Sequence, residues 1–396
     1  MNIYNFMDHD GDLISEVVLP LMNVDRRTAN GKIDETEPSQ SQIYITSAGY
    51  KGSFSYNKLI ELFVQSIVSP KSTFVWGCDY RIPMMHGLLN QSFIEELKLS
   101  PTYKEDSFAR EYLSIWSGSS SESWINYDTL NNFRKIVNFE RQENKKGNKE
   151  IFYMISVDVA RTGVLTSIQV FKVIPHDNYF EKKLVYITGL HDMHFSLQAI
   201  EIKKLYIKFQ PKEIVIDGTG IGLGLMDFMV LDQIGNDGVF YPGLASFNDE
   251  DYIKYSGKKV IYVLKANSSL NSKIHGTCYS QLANGNIRLL IKEQDAKSKM
   301  LALKKSSKLK QLEKIQRMAP YIETSKLIEE MCNLKLKNIG SGNQDIVVER
   351  INSRINKDRF SAFEYGIWRI KELEDIYYKK KNQRKKRSFS NFIMVN

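Results

Sequence analysis

The segment IFYMISVDVARTG, residues 151–163, constrains this chain more than any other. From Ile151 to Val157 every residue except Ser156 is apolar, and β-branched and aromatic side chains dominate. Such a run, closed by a turn signal, predicts a buried strand. It ends on a carboxylate, Asp158. A lone carboxylate at the end of a buried strand is costly unless it is paired or takes a cation. The chain supplies two partners: Asp217, closing a second apolar strand (EIVID), and Asp358, opening the final helix.

A length of 396 residues suffices for two domains, and a hydrophobic content of 42% supports a packed core. The net charge of +9 and pI near 9.1 favour a polyanionic partner, nucleic acid before a membrane surface, although an ordinary lysine excess has the same signature. Cys78, Cys278 and Cys332 are scattered, with no C-x-x-C pair. That argues against a disulfide framework or zinc site and fits a reducing compartment. No apolar run approaches the ~18 residues of a membrane span. Asp8, Asp10 and Asp12 stand where a secretory signal would carry Lys or Arg.

Residues 12–24 have a helical apolar face through Ile14, Val17, Val18 and Leu21, kinked or ended at Pro20. A polar loop (28–41) precedes a predicted strand at Ile43–Ile45 and a helix from about Tyr56 to Val68. A strand at Thr73–Trp76, a loop around Pro83 and a helix over 104–116 follow. No G-x-x-x-x-G-K-[ST] loop exists: NGK at 30–32 and SGKK at 256–259 lack the first glycine and the Ser/Thr. Residues 1–120 are therefore not a complete P-loop domain. Ser/Gly-rich and Asn/Lys-rich pieces mark 121–149 as a linker around a helical segment near 126–138.

The second domain is placed at 150–378. After the first strand, residues 166–174 and 182–190 read as an antiparallel hairpin, 195–208 as a helix, and EIVID as the fourth strand. This βββαβ order predicts an α/β fold, a mixed sheet flanked by helices. A helix (223–233), strand (259–264), helix (268–284), strand (286–291), helices at 294–317 and 322–333, and a turn at 341–345 follow. The final helix runs from Asp358 to about Tyr378, with a core face of Phe360, Phe363, Ile367 and Ile370. The basic tail, 379–396, opens with KKKNQRKKR, has no apolar period, and is predicted to be disordered and to contact nucleic acid nonspecifically.

The chemistry centres on Asp158, Asp217 and Asp358. Carboxylates are hard oxygen ligands suited to Mg2+ or Mn2+. Two such ions roughly 3.5–4 Å apart activate water and stabilise the leaving oxygen in phosphodiester hydrolysis. Each residue also has a structural alternative: Asp158 capping the turn, Asp217 opening an Asx-turn, Asp358 as helix N-cap. GTGIGLG at 218–224 is not a dinucleotide fingerprint, because the third glycine position falls on Leu223. Its glycines instead allow close backbone approach. His191 and His194 lack a third ligand, and the lysines from Lys297 to Arg317 read as a solvated helix face.

ISVDVARTG, IVIDGTGIGLGLMDFM and INKDRFSAFEYGIW, in this order, resemble the three acidic motifs of the nuclease domain of the tailed-phage terminase large subunit. YITSAGY (44–50) resembles the coupling motif of its packaging ATPase, and DYRIPMMHGLL and SFAREYLSIWSG the segments joining ATPase to nuclease. The resemblance spans most of the chain. It implies an RNase H-like nuclease preceded by an incomplete P-loop ATPase-type remnant (1–120). The implied enzyme needs two Mg2+ or Mn2+ ions and cuts concatemeric double-stranded DNA during packaging. Its metal ligands would be Asp158, Asp217 and Asp358. It also implies the small terminase subunit and portal protein as partners, no membrane, and a place in the host cytoplasm, transiently at the procapsid portal. Val164 and Leu165 precede Thr166 where the family has Asp or Asn, and the Walker A and B regions are missing, so ATP hydrolysis by this chain alone is not expected. An RNase H-like resolvase or transposase and a non-catalytic DNA- and motor-binding fragment are the competing readings.

Overall fold

The computed structural model describes residues 27–33, 42–49, 51, 54–100, 103, 105–117, 123–145, 147–161, 165–302, 311–337, 346–353 and 355–393. The expected helix at 12–24, the turn at 341–345 and the Val164 position lie outside the described residues. The chain divides into two compact units: 1–127 with 351–355, and 128–350 with 356–396.

In the first unit, α1 (Phe54–Val68), α2 (Arg81–Met85), α3 (Gln91–Leu99) and α4 (Glu105–Glu111) are the described helices. Asn90 caps α3, its side chain accepting from the Ser92 N–H at 3.2 Å. Phe108 gathers Tyr80, Tyr103 and Tyr112 at ring distances of 5.7, 5.8 and 5.1 Å. The strands expected at Ile43–Ile45 and Thr73–Trp76 do not form. Only Ile45 makes an isolated bridge, and 73–79 runs outside any ladder. Ile43, Ile45, Phe74 and Trp76 are all more than two-thirds exposed. A β-rich sequence becomes a strand only when a neighbour supplies the ladder and a face to pack on.

The second unit holds α5 (from Tyr127 to Asn132), β1 (Arg134–Ile136), β2 (Phe152–Asp158), β3 (Leu165–Pro175), β4 (Phe180–His191), α6 (Phe195–Phe209), β5 (Glu213–Asp217) and α7 (Ile221–Met229). Then come β6 (Gln233–Ile234), β7 (Phe240–Tyr241), β8 (Leu244–Ser246), α8 (Glu250–Ile253), β9 (Lys258–Leu264), α9 (Ser268–Ala283) and β10 (Ile287–Leu290). It closes with α10 (Glu293–Ala302), α11 (Gln311–Cys332), β11 (Leu334–Leu336), β12 (Val348–Arg350) and α12 (Asp358–Ile393). The main sheet has the order β1-β10-β4-β3-β2-β5-β9-β8. β2, β3 and β4 form an antiparallel meander, with Met154 opposite Phe171 and Val173 opposite Lys182. β5 and β9 then extend the sheet in parallel on the other side of β2. The five long strands thus lie in the order third, second, first, fourth, fifth, with the second antiparallel, which is the RNase H-like arrangement.

One face of the sheet carries Tyr153, Ile155, Val157, Ile168 and Val170 against Ala199, Ile202, Leu205 and Phe209 of α6 and Leu225, Met226 and Met229 of α7. The other face receives α12. Phe171 and Phe363 pack there at 5.7 Å, and buried Lys182 on β4 pairs with Glu374 at 2.7 Å. Gly366 lets the helix come this close: a Cβ there would lie 2.5 Å from the Phe171 ring and 3.1 Å from Ser156 Cβ. Gly366→Ala is therefore expected to lower stability by about 1–3 kcal/mol in urea unfolding, the usual cost of overfilling a packed core. No loss would mean that α12 slides freely on the sheet.

Two further expectations are corrected. α11 is continuous through Pro320 rather than broken between 317 and 322, and the Thr324 hydroxyl donates to the Pro320 carbonyl at 2.7 Å. α12 runs to Ile393 instead of stopping near Tyr378, so the tail expected to be disordered continues the helix as far as that residue. Lys, Arg and Gln are good helix formers, and no Gly or Pro interrupts 379–393.

Candidate active site

β2 and β5 run parallel with Val157 opposite Ile216, so Asp158 and Asp217 close neighbouring strands at the same level. Such strands lie about 4.8 Å apart. Ser156 shares a face with Asp158, two residues on, and its hydroxyl donates to the Ala362 carbonyl of α12 at 2.7 Å. The Asp158 carboxylate therefore faces the last helix. That helix begins with Asp358, whose Oδ2 accepts from the Leu165 N–H at the start of β3 at 3.3 Å. The site forms where two apolar strands end in acids and a third acid is carried over them by the docking of α12.

Asp158 feels the charges of the other two carboxylates. Burial pushes the Asp158 carboxyl well above its usual range, and the charges of Asp358, Asp217 and Glu330 push the same way, with Lys357 opposing. Asp158 is half-buried and accepts no hydrogen bond from a described residue. Burial also raises Asp358, against the Leu165 N–H and Arg359, Arg350 and Lys357. Asp217 is more engaged. Its Oδ1 accepts from the Thr219 N–H at 2.9 Å and from the Thr219 hydroxyl, and its Oδ2 from Tyr365 Oη at 3.4 Å. The Asx-turn reading of Asp217 is thus realised, whereas Asp358 is the first helical residue and not the N-cap.

As placed, no three Asp, Glu, His or Cys side chains among the described residues converge tightly enough to hold one cation. The outer two acids are turned toward protein donors, Thr219 and Tyr365 for Asp217 and Leu165 for Asp358. The donors themselves fit a hard divalent ion: three half-buried carboxylates, of which Asp158 accepts no hydrogen bond from a described residue and is repelled by its neighbours.

The glycines after Asp217 serve the turn. Gly220 has φ +55, and a Cβ at Gly222 would fall 1.7 Å from the Asp217 carbonyl oxygen. Only a bare backbone lets α7 start this close to β5. His194 is a helix cap rather than a metal ligand, its Nδ1 accepting from the Ser196 N–H at 3.3 Å. Sequence reading missed the residues around the acids: Tyr365, Arg359 and Glu330. Tyr365 had a signal, since it lies seven residues after Asp358 on the same helix face. Glu330 had none, because it arrives from α11.

No family model and no curated protein matches the chain. Among solved structures it is similar to the large terminase nuclease of thermophilic phage G20c with bound magnesium, at 12% identity and a TM-score of 0.36, over 60% of this chain and 94% of that one. It is similar to the P22 large terminase nuclease domain at 13% identity and a TM-score of 0.32, over 64% and 94%. It is also similar to the large terminase of bacteriophage HK97 at 10% identity and a TM-score of 0.35, over 85% and 73%.

Proposed function

We propose that this chain is a metal-dependent endonuclease that cuts concatemeric double-stranded viral DNA during genome packaging, as a terminase large subunit does. One observation carries the reading: Asp158 and Asp217 end adjacent parallel strands at one level, and Asp358 is brought over the same face by α12. The order of the three acidic motifs along the sequence and the RNase H-like strand order support it.

In this reading Asp158, Asp217 and Asp358 hold two Mg2+ or Mn2+ ions. Bound there, the ions would lower the pKa of water and take up charge on the phosphodiester. Asp158 would hold metal between the other two acids, since the charges of both act on it and it accepts no hydrogen bond from a described residue. Asp217 is kept at the strand end by Thr219 and Tyr365, and Asp358 by the Leu165 N–H. Lys357, exposed beside Asp358, is placed to meet a backbone phosphate. Residues 1–120, which carry no P-loop, belong to a packaging ATPase-type region, 121–149 are the linker, 150–378 the nuclease and 379–396 a basic tail. Partners are duplex DNA, the small terminase subunit and the portal. The place of action is the host cytoplasm and, transiently, the procapsid portal. No described helix is long and apolar enough to cross a membrane.

The direct test is incubation of the purified chain with supercoiled plasmid in millimolar Mn2+ or Mg2+. Nicked and linear products that vanish with EDTA are expected. An intact plasmid with Mg2+, Mn2+ and Co2+ alike would overturn the proposal.

A further inference from the structure

The last helix has no cap of its own. Lys357 occupies the N-cap position, its carbonyl accepting from the Ser361 N–H at 2.8 Å. A lysine side chain has no acceptor to offer the bare N–H groups of the first turn. The acceptor comes from another helix. Glu330 of α11, 3% exposed, accepts from the Phe360 N–H through Oε2 at 2.9 Å and from Arg359 Nη1 through Oε1 at 2.8 Å. Arg359 is fixed in turn, its Nε donating to Glu323 Oε2 at 2.7 Å and its carbonyl accepting from Gln169 Nε2 at 2.6 Å.

An aspartate in the first turn of a helix with bare N–H groups has its preferred partners on its own backbone. Asp358 does not take them. Its carboxylate reaches across to the Leu165 N–H instead. The difference is that a second carboxylate already fills the helix terminus, where the dipole and Arg359 together hold it. Two acids at one helix end divide the work, one capping and one facing the sheet.

We propose that Glu330 is a positioning residue of the nuclease site: by capping the last helix from α11, it keeps the Asp358 carboxylate off its own helix and turned toward Asp158. This rests on the reading of the three acids as metal ligands. Without Glu330, the Asp358 carboxylate folds back onto the N–H groups of Arg359 and Phe360, and the site loses a ligand before it loses its fold.

The test uses the full chain and two readouts, Mn2+ binding followed by electron paramagnetic resonance and plasmid nicking as a function of Mn2+ concentration. Glu330→Ala is expected to raise the Mn2+ half-saturation about tenfold in both readouts, with most of the cutting rate regained at saturating Mn2+. Glu330→Gln, which keeps a carbonyl oxygen for the Phe360 N–H, is expected to shift it about threefold. Adding Lys357→Ser to Glu330→Ala supplies an N-cap hydroxyl to the helix's own first turn and is expected to recover Mn2+ affinity. A lowered melting temperature with unchanged Mn2+ half-saturation in Glu330→Gln would overturn the proposal, even if Glu330→Ala alone does not fold, and so would a double variant whose half-saturation stays about tenfold raised. Absence of Mn2+ binding and of cutting in the unsubstituted chain is a different result, since it removes the metal site itself and the positioning role with it.

Discussion

Asp158→Asn is expected to abolish cutting while leaving the fold intact. The amide is isosteric, but it is a weak ligand for a hard cation and removes the shared charge between Asp217 and Asp358. Loss of several kcal/mol of charge stabilisation corresponds to a drop of at least about a thousandfold in plasmid cleavage. Stability moves the other way. The folded-state pKa of Asp158 lies above its unfolded value because burial and three nearby acids disfavour the charge. Such a group stabilises the fold fully only below its unfolded pKa, and that contribution is lost as pH rises through the folded one. The ionised acid therefore costs stability in the metal-free protein at neutral pH, and the amide does not. Asp158→Asn is expected to match the unsubstituted protein in melting temperature near pH 4 and to exceed it by several degrees at pH 8 with EDTA present. Retained cutting would remove Asp158 from the site. Equal melting temperatures at both pH values would show that its carboxylate is solvated rather than held against its neighbours.

Arg359→Ala is expected to destabilise the second unit strongly. The guanidinium lies between Glu323 and Glu330 at 2.7 and 2.8 Å, and the three side chains are 8%, 13% and 3% exposed. Removing the cation leaves two carboxylates in the interior with nothing to balance them, a loss of about 3–5 kcal/mol. The loss depends on pH. Burial alone would raise Glu323, yet Arg359 holds it below its usual value, while burial pushes Glu330 up to about 7 despite the same arginine. A lowered pKa contributes stability above the unfolded pKa and loses it as pH falls through the folded one. The penalty for Arg359→Ala should therefore be smallest near pH 4, where both acids take protons once the arginine is gone, and grow toward pH 7. Urea unfolding at the two pH values checks this. Adding Glu323→Gln and Glu330→Gln to Arg359→Met should recover much of the loss at pH 7, because no charge is then stranded. A loss below about 1 kcal/mol at pH 7 would mean that water reaches the pair and that α11 does not fix the start of α12.

Elements whose stability comes from their own hydrophobic pattern were legible one residue at a time. The apolar run at 151–157 is β2, the alternation over 166–174 and 182–190 is the β3–β4 hairpin, and the helical period at 195–208 is α6. Short edge pieces such as β1 and β8 were not legible, because three residues carry no period and owe their strand state to a neighbour's ladder. The opposite failure occurred at 43–45 and 73–76, where the pattern was present and the neighbour was not.

The sequence by itself determined which strands end in acids, and so which residues are the candidates for chemistry. An acid after a buried apolar run is a local fact, written in consecutive residues. Only the tertiary structure decided that β5 lies beside β2, that α12 crosses the same face at a glycine, and that a glutamate from α11 takes the cap position a lysine cannot fill. These contacts join residues between roughly thirty and two hundred positions apart, and their energy comes from burial and charge balance in three dimensions, which no local period records.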